Sequence, residues 1–155
     1  MTLLCSQMVF SQKKIYSTFE GDLPSIDLNH SNFASQQLLF GLGYAVADDF
    51  GTSLNFGCGL LGRNDIASFK TKSFYSFGVS ANYMFLHLRN NYHIGMEALC
   101  DYNLSFAQDN NDHLSITGAF KLQFPLQTYV KIGWQNRFMT DNASLLVCTF
   151  GFKIR

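Results

Sequence analysis

Two kinds of side chain alternate along the whole segment from Tyr92 to Phe106. This two-residue repeat constrains the fold more than any other feature of the sequence. Its even-numbered positions are apolar or aromatic, and most of its odd-numbered positions are polar or small. A period of two residues predicts a β-strand with one apolar face and one polar face. The segment is longer than the usual strand of about 5–6 residues, whereas a tilted strand of about 9–11 residues crosses the hydrocarbon of a bilayer. It therefore predicts a transmembrane β-strand.

The composition supports a membrane protein without transmembrane helices. Hydrophobic residues make up 47% of the 155-residue chain and charged residues only 14%, against about 25% charged residues in a typical soluble domain. No run of about 18 apolar residues is present, which excludes a transmembrane helix. The 11 acidic and 11 basic side chains balance, so binding of nucleic acid is not expected. The 4 cysteines show no metal-binding or disulfide spacing, and we expect neither a metal nor a cofactor.

The same alternation recurs along the chain and predicts one domain over residues 12–155. Residues 1–11 are similar to the end of a signal peptide, and we expect them to be its remnant. The predicted strands are Gln12–Glu20, Gln36–Val46, Thr52–Leu61, Ser73–Phe85, Tyr92–Phe106, His113–Phe124, Thr128–Phe138 and Ser144–Arg155. Short connections alternate with mostly longer loops at 21–35, 62–72, 107–112 and 139–143. Bacterial outer-membrane barrels have an even number of strands, short periplasmic turns and longer outer loops. We therefore predict an all-β, eight-stranded antiparallel up-and-down transmembrane β-barrel with these four loops outside.

The chemistry of the two faces favours a barrel with its apolar face outward. The polar face consists mostly of Gly, Ser, Ala, Asn and Thr, which suits a crowded lumen better than a solvated surface. The apolar face carries bulky aromatic residues, some at strand ends where membrane interfaces lie. A soluble lipocalin-like ligand carrier has the opposite arrangement, with charges outside, and it stays open as an alternative.

On this pattern, the chain resembles the small outer-membrane barrels typified by outer-membrane proteins A and X. The resemblance covers roughly Gln12–Arg155 and rests on the strand pattern and the alternation of loop lengths. The ending SLLVCTFGFKIR is similar to the C-terminal strand of that family but closes on Arg155 instead of an aromatic residue. The resemblance implies a bacterial outer-membrane protein in contact with outer-membrane lipids. We expect a plugged polar lumen and a structural or partner-binding role, without enzymatic activity.

A lipid-modifying enzyme is the second alternative. Two enzyme families that resemble this chain in barrel size act on lipid A, as a palmitoyl transferase and as a deacylase. The deacylase motif contains a His-x-Ser-Asn run, and this chain has the shorter His30-Ser31-Asn32. Neighbouring residues of a strand point to opposite faces, so His30 and Ser31 would diverge unless a loop brought them together. We therefore assign no catalytic residue.

The few charged residues on the polar face are the candidates for contacts across the lumen. We predict an ion-pair network there from Glu97, Lys121, Lys131, Asp101, His93 and Arg137. If the strands on either side of the loop at 107–112 pair symmetrically about it, Lys121 lies opposite Ala98, the neighbour of Glu97 in the chain. Symmetric pairing about the turn at 125–127 places Lys121 opposite Lys131. Because two ammonium groups would repel each other in a narrow interior, a carboxylate between them is expected. Glu97→Gln should then destabilise the fold much more than Glu20→Gln.

The loop at 62–72 is the predicted binding candidate on the outer surface. Its side chains mix both signs of charge with one aromatic ring: Arg63, Asp65, Phe69, Lys70 and Lys72. Such a mixture suits contact with a protein partner or ligand, although a plain solvated loop has the same composition.

Overall fold

The structure is a computed structural model that describes residues 15–28, 33–65, 68–106, 112–139 and 142–154. The predicted signal remnant at 1–11, Arg155 and the segment His30-Ser31-Asn32 lie outside the described residues. The described residues form nine strands: β1 Ile15–Asp22, β2 Ile26–Asp27, β3 Phe33–Ala45, β4 Phe50–Asp65, β5 Ser68–His87, β6 His93–Ser105, β7 His113–Gln123, β8 Thr128–Phe138 and β9 Ala143–Ile154. No described segment forms a helix long and apolar enough to cross a membrane.

The strands close into a single antiparallel barrel. Each of the eight long strands pairs with its neighbours in chain order, and β1 pairs with both β3 and β9. The two-residue strand β2 pairs with β9 beyond the point where β1 ends. This closure removes every free sheet edge along the membrane-spanning part. The predicted eight-stranded antiparallel barrel is confirmed.

The barrel wall has an apolar outer face and a buried inner face. Along β6, Met96 and Tyr102 point outward and are about half exposed, at 51% and 48%, whereas Glu97 and Asp101 point inward and are buried. The other strands alternate in the same way, with outward aromatic residues such as Trp134. An apolar exterior around a polar interior is stable in a bilayer and unfavourable in water. The outward orientation of the even positions of Tyr92–Phe106 is confirmed, and the soluble-carrier alternative conflicts with this exterior.

The predicted bounds of the loop at 62–72 were wrong. The predicted loop at 62–72 is largely strand, because β4 continues to Asp65 and β5 begins at Ser68, with these two residues paired. Beyond the bilayer both faces of a strand meet water, so the apolar alternation disappears although the hydrogen-bonded ladder continues. Hydrophobic period alone therefore places the end of such a strand too early.

Glycines on the inner face make room for two large rings. The ring of Tyr16 lies over Gly43, and the ring of Tyr129 lies over Gly151, at distances where an added Cβ would collide with the ring. Tyr129 is almost fully buried as a result. These close approaches let an eight-stranded barrel, which has an interior only just wide enough for side chains, hold aromatic groups inside.

Candidate functional site

The centre of the lumen holds two acids and two bases, which we call the charged layer: Glu20, Glu97, Lys121 and Lys131. The Lys131 ammonium donates to Glu20 Oε2 at 2.5 Å and to Glu97 Oε1 at 2.7 Å. The Lys121 ammonium donates to Glu97 Oε2 at 2.9 Å, and the Tyr129 hydroxyl donates to Glu20 Oε1 at 2.6 Å. All four charged side chains are buried. The layer is neutral as a whole, which offsets part of the cost of burying charge.

The charged layer joins opposite walls of the barrel. Glu20 lies on β1 and Glu97 lies on β6, four strands apart in either direction around the closed ring. Lys131, on β8, contacts both carboxylates at once. Lys131 therefore bridges opposite walls of the barrel across the lumen.

The structure brings Glu97, Lys121 and Lys131 together, but the β6–β7 register on which the prediction rested was wrong. Lys121 pairs with Gly95 and not with Ala98, whereas its pairing with Lys131 is as predicted. Directly opposed residues of an antiparallel pair share a face, so inward Lys121 could not lie opposite outward Ala98. The Lys121 side chain reaches Glu97 diagonally, over the distance that long side chains cover on one face.

Glu20 is the functional residue that sequence reasoning missed. Its strand carries Tyr16, Thr18, Glu20 and Asp22 on the inner face, yet this strand has the weakest apolar alternation in the chain. The contacts do not support the prediction that Glu97→Gln destabilises the fold much more than Glu20→Gln, because Glu20 accepts hydrogen bonds from both Lys131 and Tyr129. Closure of β1 onto β9 was the available signal, since it places Glu20 opposite Gly151, which in turn pairs with Tyr129 of β8, two residues from Lys131.

Arg137 forms a separate group nearer the long loops. Its guanidinium donates to Ser35 Oγ at 2.5 Å and to Gln135 Oε1 at 2.9 Å, and lies 3.2 Å from His113 Nε2. The guanidinium carbon also lies 5.0 Å from the centre of the Phe74 ring, within the range of a cation–π contact. Arg137 thus reaches across the lumen to Ser35 on β3, and its charge also acts on Asp22 and Asp101.

Asp101 and His93 lie outside the charged layer. Asp101 is fully buried, and neither of its carboxylate oxygens has a hydrogen-bond partner among the described residues. His93 begins β6 at the barrel mouth, where its Nδ1 lies 2.5 Å from Nδ1 of His87. His93 lies apart from the charged layer, because side chains on one face of a strand are separated in height by about 6.6 Å for every two residues. Asp101 interacts electrostatically with Arg137 and Lys131, two members of the predicted network.

A cavity of about 20 Å³ lies between the charged layer and the Arg137 group, which is about the space that one water molecule needs. Toward the long loops an apolar cluster continues the packing, formed by Leu61, Phe74, Ala143, Leu145 and Val147. No three His, Cys, Asp or Glu side chains of the described residues are grouped as metal ligands.

The outer binding candidates lie on the hairpin of β4 and β5. Arg63, Asp65, Phe69 and Lys70 are strand residues whose side chains lie outside the described part of the structure, and Lys72 is half-buried. β5 begins at Ser68 but pairs with β6 only from Phe74 onward. The hairpin therefore projects past the end of β6 at the long-loop end of the barrel.

Comparison with known proteins identifies the fold. No protein-family model and no curated protein sequence matches the chain. Among solved structures, it is similar to the outer membrane enzyme PagL, with a TM-score of 0.53 and 11% identity, over 90% of this chain and 98% of that one. It is equally similar to Neisserial surface protein A, with a TM-score of 0.53 and 11% identity, over 90% of this chain and 97% of that one. The chain has the fold of the small outer-membrane β-barrels, and its apolar exterior is that of a transmembrane barrel.

Proposed function

We propose that this outer-membrane barrel is a non-conducting, non-enzymatic protein that presents its long-loop end to a partner or ligand. The contact that carries the proposal is the Lys131 bridge between Glu20 and Glu97, on opposite walls of the lumen. A permeant ion would have to break both ion pairs at this height. Breaking a buried pair costs about 3–5 kcal/mol, so the resting barrel is closed.

Contacts at two further heights support a closed lumen. Near the short turns, Asn82 on β5 donates to the Tyr16 hydroxyl on β1 at 3.1 Å. Near the long loops, Arg137 on β8 reaches Ser35 on β3. The cavity of about 20 Å³ is also far below the about 300–1,000 Å³ of a small-molecule pocket. With the interior filled, the loops and projecting strands are the surfaces left for recognition.

The projecting β4–β5 hairpin is the best-placed recognition surface. Residues 68–72 of β5 have no ladder partner on the β6 side among the described residues. Backbone groups at such an edge can pair with an extended segment of another protein. The charged residues predicted as binding candidates lie on this same hairpin.

Conductance in a planar bilayer tests the closed lumen. The folded wild-type barrel should show no stable open-channel steps. The Lys131→Ala variant, which removes the bridge, should show transient openings if it remains folded. Long-lived steps from the wild type would refute the closed lumen.

Protease treatment of intact cells tests which end faces outward. Cleavage should occur within 62–72 and spare the short turn at 47–51. The reverse pattern would place the short turns on the cell surface and contradict the proposed recognition surface.

The lipid-modifying enzyme remains the competing function and has its own test. At the long-loop end, Arg137 lies between Ser35 and His113 and contacts both side chains. A serine nucleophile needs its base within hydrogen-bond reach, so this arrangement does not favour catalysis. Lipid A incubated with the refolded barrel should keep all its acyl chains. Loss of a chain that Ser31→Ala abolishes would establish the enzyme instead.

A further inference from the structure

Two histidines meet at the short-turn mouth of the barrel, away from the charged layer and the long loops. His87 ends β5 and His93 begins β6, and the two residues are directly opposite in the ladder. Their Nδ1 atoms lie 2.5 Å apart. On its other side, His87 Nε2 lies 2.8 Å from Asp49 Oδ1 in the turn between β3 and β4. Three elements of the fold thus converge on one pair of imidazoles.

A β-bulge creates this pairing. The register between β5 and β6 shifts between Met84 and Leu86, which leaves Phe85 as an extra residue. Without the extra residue, His87 would lie opposite Tyr92 and point outward with it. The bulge turns His87 to the inner side, where His93 points, and Met84 N donates to Asp49 O at 2.8 Å to fix the neighbouring turn. Bulges commonly re-aim a side chain at a functional position.

The Asp49 carboxylate defines the chemistry of the pair. A carboxylate accepts hydrogen bonds only, so the proton of neutral His87 lies on Nε2 and its Nδ1 presents a lone pair. That lone pair is directed at Nδ1 of His93. A carboxylate on the far nitrogen of an imidazole is the usual outer partner of a metal-binding histidine, because it fixes the tautomer and raises the basicity of the ligand.

We propose that His87 and His93 bind one divalent late transition-metal ion through their Nδ1 atoms, with Asp49 as the carboxylate that orients His87. Imidazole nitrogen suits Cu²⁺, Ni²⁺ and Zn²⁺. Metal–nitrogen bonds of about 2.0–2.1 Å in tetrahedral geometry place two ligand nitrogens about 3.3 Å apart. The exposed His87 ring and the half-buried His93 ring need to separate by less than about 1 Å, and to turn their Nδ1 atoms toward a common point, to accept the ion. Water or an external ligand completes the coordination, which makes this an open site on the barrel rim.

Ni²⁺ titration calorimetry on the folded barrel at neutral pH tests the site. The wild type should bind one ion saturably, and both His87→Ala and His93→Ala should abolish this binding. Asp49→Asn should weaken it about 10–100-fold, the usual effect of losing an outer carboxylate. The matched control is His30→Ala, which removes a histidine elsewhere in the chain and should leave binding unchanged. All variants keep the same cysteines, so differences between them report the histidines.

Two further measurements separate binding from folding. Heat-modifiable gel mobility should show each variant folded, and Ni²⁺ should raise the unfolding midpoint of the wild type but not of His87→Ala or His93→Ala. Electron paramagnetic resonance of the Cu²⁺-loaded barrel should show coupling to two nitrogens. Absence of saturable Ni²⁺ binding to the wild type, or binding by folded His87→Ala equal to that of the wild type, would overturn the proposal. The proposed function does not depend on this outcome, since bilayer conductance and cell-surface proteolysis test it separately.

Discussion

The two faces of strands β6, β7 and β8 come from the same stretches of chain but respond to different physical demands. The inner face holds buried groups matched to one another, as Lys131 is matched to Glu20 and Glu97. The outer face holds apolar groups that meet only lipid, as Cys100 and Ile116 do. The effect of a substitution on stability therefore depends on the neighbouring side chains at the inner face. At the outer face it depends on the polarity of the new side chain and on its depth in the bilayer.

Loss of a carboxylate from the charged layer should have the largest effect. Glu97→Gln leaves Lys121 and Lys131 with one carboxylate between them, and an uncompensated buried charge costs about 3–5 kcal/mol. Glu20→Gln should cost a similar amount, because Lys131 and Tyr129 both donate to it. The free energy of unfolding in lipid vesicles, measured by urea titration, checks both values.

Two variants control this measurement. Asp48→Asn removes an exposed carboxylate from a short turn and should change stability by less than about 0.5 kcal/mol. Adding Lys121→Met to Glu97→Gln removes one of the lysines left without a full partner and should recover part of the loss. If Glu97→Gln proved as mild as Asp48→Asn, the ion pairs would not be what stabilises the inner face.

A charge placed on the outer face should have the next largest effect. Cys100 points outward near the middle of β6, between Val79 and Ile116. Arginine at the bilayer midplane costs about 2–4 kcal/mol and about 0–1 kcal/mol near an interface, so Cys100→Arg should fall in the higher range. Ile94→Arg should fall in the lower range, because Ile94 is the second residue of β6, next to the short turn. Equal costs in bilayer unfolding measurements would contradict this assignment of depth.

The sequence predicted the barrel and the two faces because both follow from a period of two. The outward position of Cys100 and the inward position of Glu97 depend only on that period, which holds throughout β6. Contacts within the lumen depend also on register, and register is less accessible to sequence reasoning. The assumption of even pairing around residues 107–112 placed Lys121 opposite an outward residue, where the parity of the faces forbids it.

Two other features required the folded structure. Glu20 reaches Lys131 only because β1 closes onto β9, which joins residues far apart in the chain. His87 meets His93 only because one extra residue, Phe85, shifts the ladder. A bulge changes which face every later side chain occupies, and nothing in the alternation of β5 marks its position.

Two neighbouring glycines test the contrast between the faces with the smallest chemical change. Gly133 on β8 faces inward, and an added Cβ would lie 2.5 Å from the carbonyl oxygen of Gly118 and 2.6 Å from Cβ of Ala119. These atoms belong to the wall itself and cannot rotate away, so Gly133→Ala should cost about 1–3 kcal/mol through overpacking. Gly118 on β7 faces outward, and an added Cβ there meets no atom within 4 Å. Glycine is less favourable than alanine within a strand by about 0.5–1 kcal/mol, so Gly118→Ala should be neutral or slightly stabilising.

Both variants replace a glycine with alanine and so add one methyl group. The difference between their unfolding free energies therefore reports the effect of the face on which the methyl group lies. Destabilisation of the barrel by Gly118→Ala to the same extent as by Gly133→Ala would mean that the outer face is packed against something other than fluid lipid.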